Sequence, residues 1–344
     1  MFKEIILPIL LFIVGLLLLI KGGDWFVDGA SGIAKRFKLP EILIGATVVS
    51  IGTTLPEVMV SAGAAFKGNG EIAYGNAIGS IICNTALIAA ITISIKPAKA
   101  DRNTIILPVI FFFVAAAFYA IMAYAMGEFP RWSGIVLLCT FVCYMVITVI
   151  KMIKNKTPQE ETVEEEKPEE EKLSFGKELI AQIKGKHTSI VREIILLVIG
   201  AVAIAFGADF LVDNGTKIAT LIGVPDSVIA LTFVALRTSL PELVTAITSL
   251  IKGHGSLSLG NIIGANLFNL VLVSGTAITI SPFTIPQGSM LFGQNASLVL
   301  DIPVMLSVML LMTLPVIFRN KLSRWQGILL LLLYAGYCVV QFVM

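Results

Sequence analysis

The segment Thr53-Thr54-Leu55-Pro56-Glu57 returns 185 positions later as Thr238-Ser239-Leu240-Pro241-Glu242, and each copy lies inside a long apolar stretch. An ionisable group at membrane depth is costly and normally faces a partner, a cavity or an ion. Two glutamates at matched positions therefore predict one shared functional site. The repeated segment also indicates that the chain is duplicated.

The composition is that of an integral membrane protein. Hydrophobic residues make up 56% of the 344 residues, charged residues 14%, and the mean hydropathy is +0.91, values outside the range of soluble domains. The apolar runs are continuous and long enough to cross about 30 Å of hydrocarbon, which favours helices over transmembrane strands. About ten helices are predicted, at residues 4–22, 40–66, 71–95, 103–125, 132–152, 192–212, 226–251, 256–280, 298–318 and 325–344.

The duplication extends well beyond the two glutamates. The pairs that recur at the offset of 185 include Asp24 and Asp209, Asp28 and Asp213, Lys67 and Lys252, Asn76 and Asn261, and Asn84 and Asn269. The chain divides into a first five-helix repeat at 1–152, an acidic linker at 153–191 and a second five-helix repeat at 192–344. Because five is odd, the second repeat enters from the opposite side. The predicted fold is an all-α membrane protein of ten transmembrane helices in two inverted repeats, as in secondary transporters.

Basic residues in the loops predict the orientation. One side of the membrane receives most of them, namely Lys35, Arg36, Lys38, Lys96, Lys99, Arg102, Lys252, Arg319, Lys321 and Arg324, and the other receives Lys3, Lys67, Arg131 and Lys217. By the positive-inside rule the first side is cytoplasmic, so both termini are predicted outside and the glutamate-rich linker inside. The net charge of +2 is too small to predict a nucleic-acid partner.

Four predicted helices carry oxygen atoms that could bind a cation. A proline inside a helix removes a backbone hydrogen bond and pushes against the carbonyl about one turn earlier, so Pro56 and Pro241 free carbonyl oxygens near Ser50 and Ala235. Thr53 and Thr238 lie one turn before the glutamates, on the same helix face. In the helix that follows each segment, Asn76, Ser80 and Asn84 stand at every fourth position, with Asn261, Ala265 and Asn269 in the matching places.

This donor set predicts a hard cation. Carboxylate, carbonyl, hydroxyl and amide oxygens suit calcium, which takes about six to eight such ligands, whereas softer metals recruit nitrogen or sulfur. Each hydroxyl or amide taken singly could equally serve helix packing. An enzyme is not predicted, because the two histidines, His187 and His254, lie in loops away from any nucleophile. An ion channel would use similar oxygens, but inverted repeats with broken helices favour a carrier.

Both repeats resemble a known family. The segments Gly45-Ala46-Thr47 through Gly52-Thr53-Thr54-Leu55-Pro56-Glu57, and Gly75-Asn76-Ala77-Ile78-Gly79-Ser80 to Asn84, resemble the first α-repeat of the cation/calcium exchanger superfamily. Thr238-Ser239-Leu240-Pro241-Glu242 with Gly260-Asn261-Ile262-Ile263-Gly264 to Asn269 resembles the second. The similarity is closest to prokaryotic sodium/calcium exchangers and covers essentially the whole chain outside the acidic loop.

The resemblance implies an antiporter of the prokaryotic cell membrane that exchanges Na⁺ for Ca²⁺ by alternating access. Calcium would lie between Glu57 and Glu242, and sodium would overlap this position. The remaining implied ligands are Thr53, Thr238 and carbonyls near Ser50 and Ala235 for calcium, and Thr54, Ser239, Ser80, Asn84 and Asn269 for sodium. The first and sixth helices would form a sliding gate. No cofactor is implied beyond the transported ions, and the oligomeric state stays open, a monomer being compatible with the sequence.

Three residues of the second repeat depart from the family pattern. Arg237 replaces a glycine directly before Thr238, Ala265 replaces the serine found at Ser80, and Asn269 stands where some members carry an aspartate. Arg237 is therefore a candidate modulator of the ion site. The alternatives that stay open are a Ca²⁺/H⁺ antiporter of the same fold and a related cation exchanger whose coupling Arg237 alters.

Overall fold

The fold was analysed in a computed structural model that describes residues 2–97, 102–154, 190–222, 238–288, 290–291 and 293–343. These residues form ten helical elements, which are Phe2–Phe37 (α1), Glu41–Phe66 (α2), Gly70–Ile95 (α3), Arg102–Met126 (α4), Arg131–Lys154 (α5), Ile190–Leu221 (α6), Leu240–Ile251 (α7), Gly255–Ile280 (α8), Ser297–Arg319 (α9) and Arg324–Val343 (α10). Four two-residue strands are Glu128–Phe129 (β1), Phe283–Thr284 (β2), Met290–Leu291 (β3) and Gln294–Asn295 (β4). Strand β1 pairs antiparallel with β2, and β3 with β4.

Nine of the described helices are long and apolar enough to cross a membrane, and α7 is a shorter apolar helix. Large apolar side chains are exposed on their outer faces, for example Leu17, Val114 and Leu332. Such faces are stable only against hydrocarbon. The chain is therefore an integral, nearly all-helical membrane protein, and the prediction of an all-α chain is correct except for the four short strands.

Three predicted spans differ from the observed helices. The span at 192–212 is part of a longer helix, α6, which continues to Leu221. Helix α1 continues well past residue 22 to Phe37, because backbone hydrogen bonding does not stop where Asp24 and Asp28 lower the hydropathy. Of the predicted span at 226–251, the structure describes a turn at 238–239 and helix α7 from Leu240. Pro241 therefore lies in the first turn of a helix and not in its interior, at a position where its missing N–H is harmless. The acidic linker was predicted at 153–191, but its first two and last two residues belong to helices α5 and α6. Its remaining residues, 155–189, and residues 223–237 lie outside the described part of the chain.

Helix boundaries recur at the offset of 185. The regular helix Gly70–Cys83 in α3 and the regular helix Gly255–Phe268 in α8 both have 14 residues. Each is followed by a π-helical turn that begins at an asparagine, Asn84 in α3 and Asn269 in α8. Helices α2 and α7 also end at matched residues, Phe66 and Ile251. These matched boundaries agree with the predicted division of the chain into two repeats around a linker, which stays a prediction.

Helices α1 and α6 form a tightly packed antiparallel pair. Glycines at seven-residue spacing line the contact, and a Cβ atom at Gly15 would lie 2.7 Å from the Leu211 nitrogen. The same atom at Gly22 would lie 2.9 Å from the Ala203 Cβ, and at Gly29 it would lie 2.6 Å from the Glu193 carbonyl oxygen. Small residues that let two backbones approach closely are a common way to join membrane helices.

The other helices surround a second, larger core. Tyr144 of α5 donates a hydrogen bond to the Ala46 carbonyl of α2 at 2.9 Å, fully inside the protein. Helix α8 lies against α2 so closely that a Cβ at Gly260 would strike the Ile42 carbonyl, and one at Gly264 would strike the Ser50 hydroxyl. This close contact brings residues of the second repeat against the Pro56 segment of the first.

Candidate cation site

Glu57 of α2 and Glu242 of α7 lie together in the protein interior. Both side chains are fully buried, at 0% exposure, and the two carboxyl groups are close enough to interact electrostatically. None of their four carboxyl oxygens has a hydrogen-bond partner among the described residues. Two buried, adjacent carboxyl groups without donors are costly unless a cation or a proton neutralises them. The predicted pairing of the two glutamates is thus present in the fold.

The threonines of the two segments have different surroundings. Thr53 is buried, its hydroxyl donates to the Asn261 side-chain oxygen at 3.2 Å, and it also lies beside the Glu242 carboxyl group. A residue of α2 therefore reaches both α7 and α8 of the other half. Thr238, in the turn before α7, is partly buried.

The neighbouring hydroxyls are also enclosed. Thr54 is buried at 0% exposure and its hydroxyl has no hydrogen-bond partner among the described residues. Ser239 is buried and its hydroxyl lies beside the Cys83 thiol of α3. Ser80 of α3 is buried as well. These three oxygens are predicted sodium ligands, and that role stays a prediction.

Asn84 and Asn269 are the first residues of the two π-helical turns. Both are fully buried, and within the described part of the chain neither the oxygen nor the nitrogen of either amide has a partner. Buried side-chain amides are nearly always hydrogen-bonded, so the partners of these two amides lie outside the described residues. Helical π-turns are often found at functional sites. The oxygen of each amide can bind a cation.

Asn76 and Asn261 both make side-chain hydrogen bonds to α2, and a direct role of either at the site stays a prediction. Asn76 donates through its amide nitrogen to the Glu57 carbonyl oxygen at 3.1 Å and to the Ser61 hydroxyl at 2.8 Å. Asn261 accepts from Thr53, and its nitrogen has no partner among the described residues. Both asparagines therefore bind α2 at or next to the Glu57 segment, Asn76 through two side-chain hydrogen bonds and Asn261 through one.

Of the two predicted carbonyl ligands, the structure describes only that of Ser50, in the first half of the site. The Ser50 hydroxyl lies within hydrogen-bonding distance of the Gly45 carbonyl, at 2.7 Å, and the Asn261 carbonyl, at 2.9 Å, so this side chain joins α2 to α8. Ala235 and Arg237 fall outside the described residues, and their predicted roles stay predictions. Ala265 is fully buried, where Ser80 offers a hydroxyl in the other half.

The described residues contain no group of three or more histidine, cysteine, aspartate or glutamate side chains that could hold a metal ion. Within the described part of the chain, the atoms that could join the glutamate pair around a cation are hydroxyl, amide and carbonyl oxygens, which suit calcium. His254 lies at the start of α8, with its Nδ1 atom 2.7 Å from a carboxyl oxygen of Glu41, and has no place in this site.

One polar cluster inside the membrane escaped the sequence analysis. Asp301 of α9 accepts hydrogen bonds from Tyr337 at 3.1 Å and Gln341 at 2.7 Å. The signal was present in the sequence, since Asp301 is an acidic residue inside the predicted span 298–318. It has no counterpart in the repeat and was therefore not singled out.

A helical membrane protein with two facing glutamates and unpaired amides at mid-protein belongs to the class of membrane cation transporters. A family model described as sodium/calcium exchanger protein matches residues 7–150 and 192–343. The chain therefore belongs to the sodium/calcium exchanger family, which confirms the resemblance seen in the two repeats. The family consists of transporters and not of enzymes, with Na⁺ and Ca²⁺ as its substrates.

Individual relatives cover nearly the whole chain. An uncharacterized membrane protein of Methanocaldococcus jannaschii is 34% identical, with 96% of each chain covered. The sodium/calcium exchanger MaX1 of Methanosarcina acetivorans is 29% identical, with 97% of this chain and 98% of the relative covered. A solved structure of the sodium-calcium exchanger NCX_Mj, soaked with Na⁺ and Sr²⁺, superposes with a TM-score of 0.76 at 31% identity, covering 96% of this chain and 97% of that one.

Proposed function

We propose that this protein exchanges Na⁺ for Ca²⁺ across a prokaryotic cell membrane by alternating access. The observation that carries the proposal is the buried pair Glu57 and Glu242, whose four carboxyl oxygens have no partner among the described residues. One Ca²⁺ cancels the charge of two carboxylates, and oxygen ligands suit it. The relatives named above include sodium/calcium exchangers, which supports the same two ions.

Competition between the two ions follows from their shared ligands. Calcium would bind between the two carboxylates with Thr53, Thr238 and the carbonyls near Ser50 and Ala235. Sodium would need the same carboxylates together with neutral oxygens, for which the sodium set Thr54, Ser239, Ser80, Asn84 and Asn269 is proposed. Since both ions cannot occupy the carboxylates at once, they are carried in turn. Exchange then needs no cofactor.

Alternation between the two sides would come from the duplicated architecture. Two inverted five-helix repeats place one site at their interface, and exchanging the conformations of the repeats opens it to the other side. The loop charges orient both termini outward and the linker toward the cytoplasm. The matched helix ends at Phe66 and Ile251 support this arrangement, since they place Lys67 and Lys252 at equivalent positions.

The test is calcium flux into sodium-loaded proteoliposomes at constant pH. We expect uptake that saturates with calcium and requires the sodium gradient, and we expect Glu57→Gln and Glu242→Gln each to abolish it. Glu128→Gln is the matched control, because Glu128 is an exposed glutamate of β1. Calcium uptake that ignores the sodium gradient would refute sodium coupling.

Calcium/proton exchange is the second candidate. The specific observation in its favour is that two adjacent buried carboxyl groups, without a hydrogen-bond donor among the described residues, can be neutralised by protons as well as by metal ions. A pH gradient imposed without sodium separates the two functions. Calcium uptake under that gradient alone would favour proton coupling, and its absence would favour sodium.

A further inference from the structure

Lys252, at the end of α7, is bound to helix α1. Its ammonium group donates to the Asp28 carboxylate at 2.7 Å and to the Asp24 backbone carbonyl at 2.9 Å, and it lies 3.3 Å from the Asp24 carboxylate. The lysine side chain is only 24% exposed. Three oxygen partners around one partly buried ammonium make a more specific contact than an ordinary surface ion pair.

The helices beneath this contact are closely packed. A Cβ atom at Gly23 of α1 would lie 2.7 Å from the Thr248 hydroxyl and 2.8 Å from a Val244 methyl group of α7. No side chain larger than hydrogen fits between the two helices at this level. The junction of α1 with α7 is therefore closed, on the face of the protein that the loop charges predict to be cytoplasmic.

The equivalent junction in the other half lies between α6 and α2. There Lys67 corresponds to Lys252, Asp209 and Asp213 correspond to the two aspartates of α1, and Gly63 corresponds to Thr248. Lys67 is exposed and makes no ion pair within the described ranges. A Cβ at Gly63 would meet nothing within 4 Å in the described structure.

A cavity of about 210 Å³ lies beside the cation site and reaches Thr53. It is lined by residues of four helices, among them Phe26 of α1, Pro56 of α2, Val202 of α6 and Pro241 of α7, so it does not belong to one junction alone.

The two equivalent junctions thus differ in the same molecule. Lys252 is ion-paired to α1 above tight packing, whereas among the described residues Lys67 has no ion pair, Gly63 has open space beside it, and Asp209 and Asp213 interact with other groups.

We propose that Lys252 and Lys67 are two alternative latches for the paired helices α1 and α6. The Lys252 latch, made to Asp24 and Asp28, holds the predicted cytoplasmic side closed. When the helix pair moves against the rest of the protein, this latch breaks and Lys67 binds Asp209 and Asp213, closing the opposite side. The inference rests on the proposed alternating access and names the residues that set the balance between its two states.

Pulsed electron spin resonance distances between spin labels test the latches without any transport. One label pair, at Lys35 and Ile251, reports the junction of α1 with α7, and a second, at Phe66 and Leu221, reports the junction of α2 with α6. All four label positions are exposed. The native cysteines to be replaced beforehand are Cys83, Cys139, Cys143 and Cys338.

Lys252→Gln should lengthen the Lys35 to Ile251 distance and shorten the Phe66 to Leu221 distance. We expect the ratio of the two states to change about three- to tenfold, as for the loss of a partly buried ion pair. Lys67→Gln should shift the ratio the opposite way, and the double variant should return toward the parent distribution. Lys151→Gln, at an exposed lysine of α5 outside both latches, is the control.

Charge exchange separates a latch from a general packing effect. Asp28→Lys alone should act like Lys252→Gln, and Asp28→Lys combined with Lys252→Asp should restore the parent distances. Unchanged distances in Lys252→Gln, or a failure of this rescue in protein that remains monodisperse, would overturn the latches. Distances that respond as expected in a protein without sodium-driven calcium flux would leave the latches standing and refute the proposed exchange instead.

Discussion

The two glutamate segments have nearly the same sequence but different local structures. The segment at Glu57 lies inside α2, after a π-helical turn at Gly45–Val49, and its Pro56 is in the helix interior. The segment at Glu242 lies at the start of α7, with Pro241 in the first turn. Near-identical residues therefore give one carboxylate from a continuous helix and one from a helix start. The two halves of a duplicated site need not contribute equally to it.

The largest expected effect is the loss of exchange when either glutamate is replaced, despite their different local structures. If both carboxylates bind the same calcium ion, Glu57→Gln and Glu242→Gln should each lower exchange at least about a hundredfold, because a neutral amide leaves the charge of the ion uncompensated. Initial calcium uptake in sodium-loaded vesicles measures this. One variant retaining near-parent flux would show that its glutamate is not shared.

Arg237 should weaken the second half of the site. Replacing it in Arg237→Gly removes a fixed positive charge next to Thr238, and at an effective dielectric constant of about 20 such a charge costs a nearby cation about 2 kcal/mol. Since about 1.4 kcal/mol corresponds to a factor of ten, we expect calcium uptake to rise about thirtyfold at subsaturating calcium. Arg237→Lys, which keeps the charge, should resemble the parent. Equal rates for the glycine and parent proteins would show that the arginine does not act on the site.

The two asparagines that bind α2 near Glu57 should contribute unequally to stability. Asn76→Ala removes two hydrogen bonds, to Glu57 and Ser61, whereas Asn261→Ala removes one side-chain bond, from Thr53. We expect Asn76→Ala to destabilise the protein by about 1–2 kcal/mol, and more than Asn261→Ala. Thermal unfolding in detergent, followed by intrinsic fluorescence, compares them. The reverse order would contradict the assigned hydrogen-bonding roles.

The smallest expected effect is on sodium affinity, when the hydroxyl that the second half lacks is added. Ala265→Ser adds the hydroxyl that Ser80 provides in the first half, and one additional neutral ligand should raise the apparent sodium affinity about two- to threefold. The sodium dependence of calcium release from vesicles measures it, with Ala277→Ser, at another buried position of α8, as the control. An unchanged sodium dependence would indicate that position 265 does not reach a sodium ion.

Much of this fold was predictable from the sequence. The apolar runs located nearly all the helices, because a span must be long and continuous to cross hydrocarbon. The glutamate pair was predictable since two isolated carboxylates recur at one offset, and Asn84 and Asn269 followed from the same repeat. Helix α1 was predicted too short, because hydropathy falls at Asp24 although the helix continues.

The directions of side chains were not predictable. Spacing placed Asn76 on a helix face with Ser80 and Asn84, and it did not predict that the amide nitrogen donates to the Glu57 carbonyl. Nor did it predict that the Ser50 hydroxyl joins α2 to α8. Such choices depend on which neighbour is within reach after the helices pack, and that information is absent from a linear pattern. The partners of Lys252 were unpredictable for the same reason.

The glycine contacts between α1 and α6 have a mechanical consequence. Gly15 and Gly29 lie about 21 Å apart along a helix with a rise of about 1.5 Å per residue, a large part of the thickness of the hydrocarbon. Because the two helices are in close contact at both levels and at Gly22 between them, we expect the pair to move as one rigid body. A force applied at one membrane surface is then transmitted to the other at once, and the two ends cannot be displaced independently.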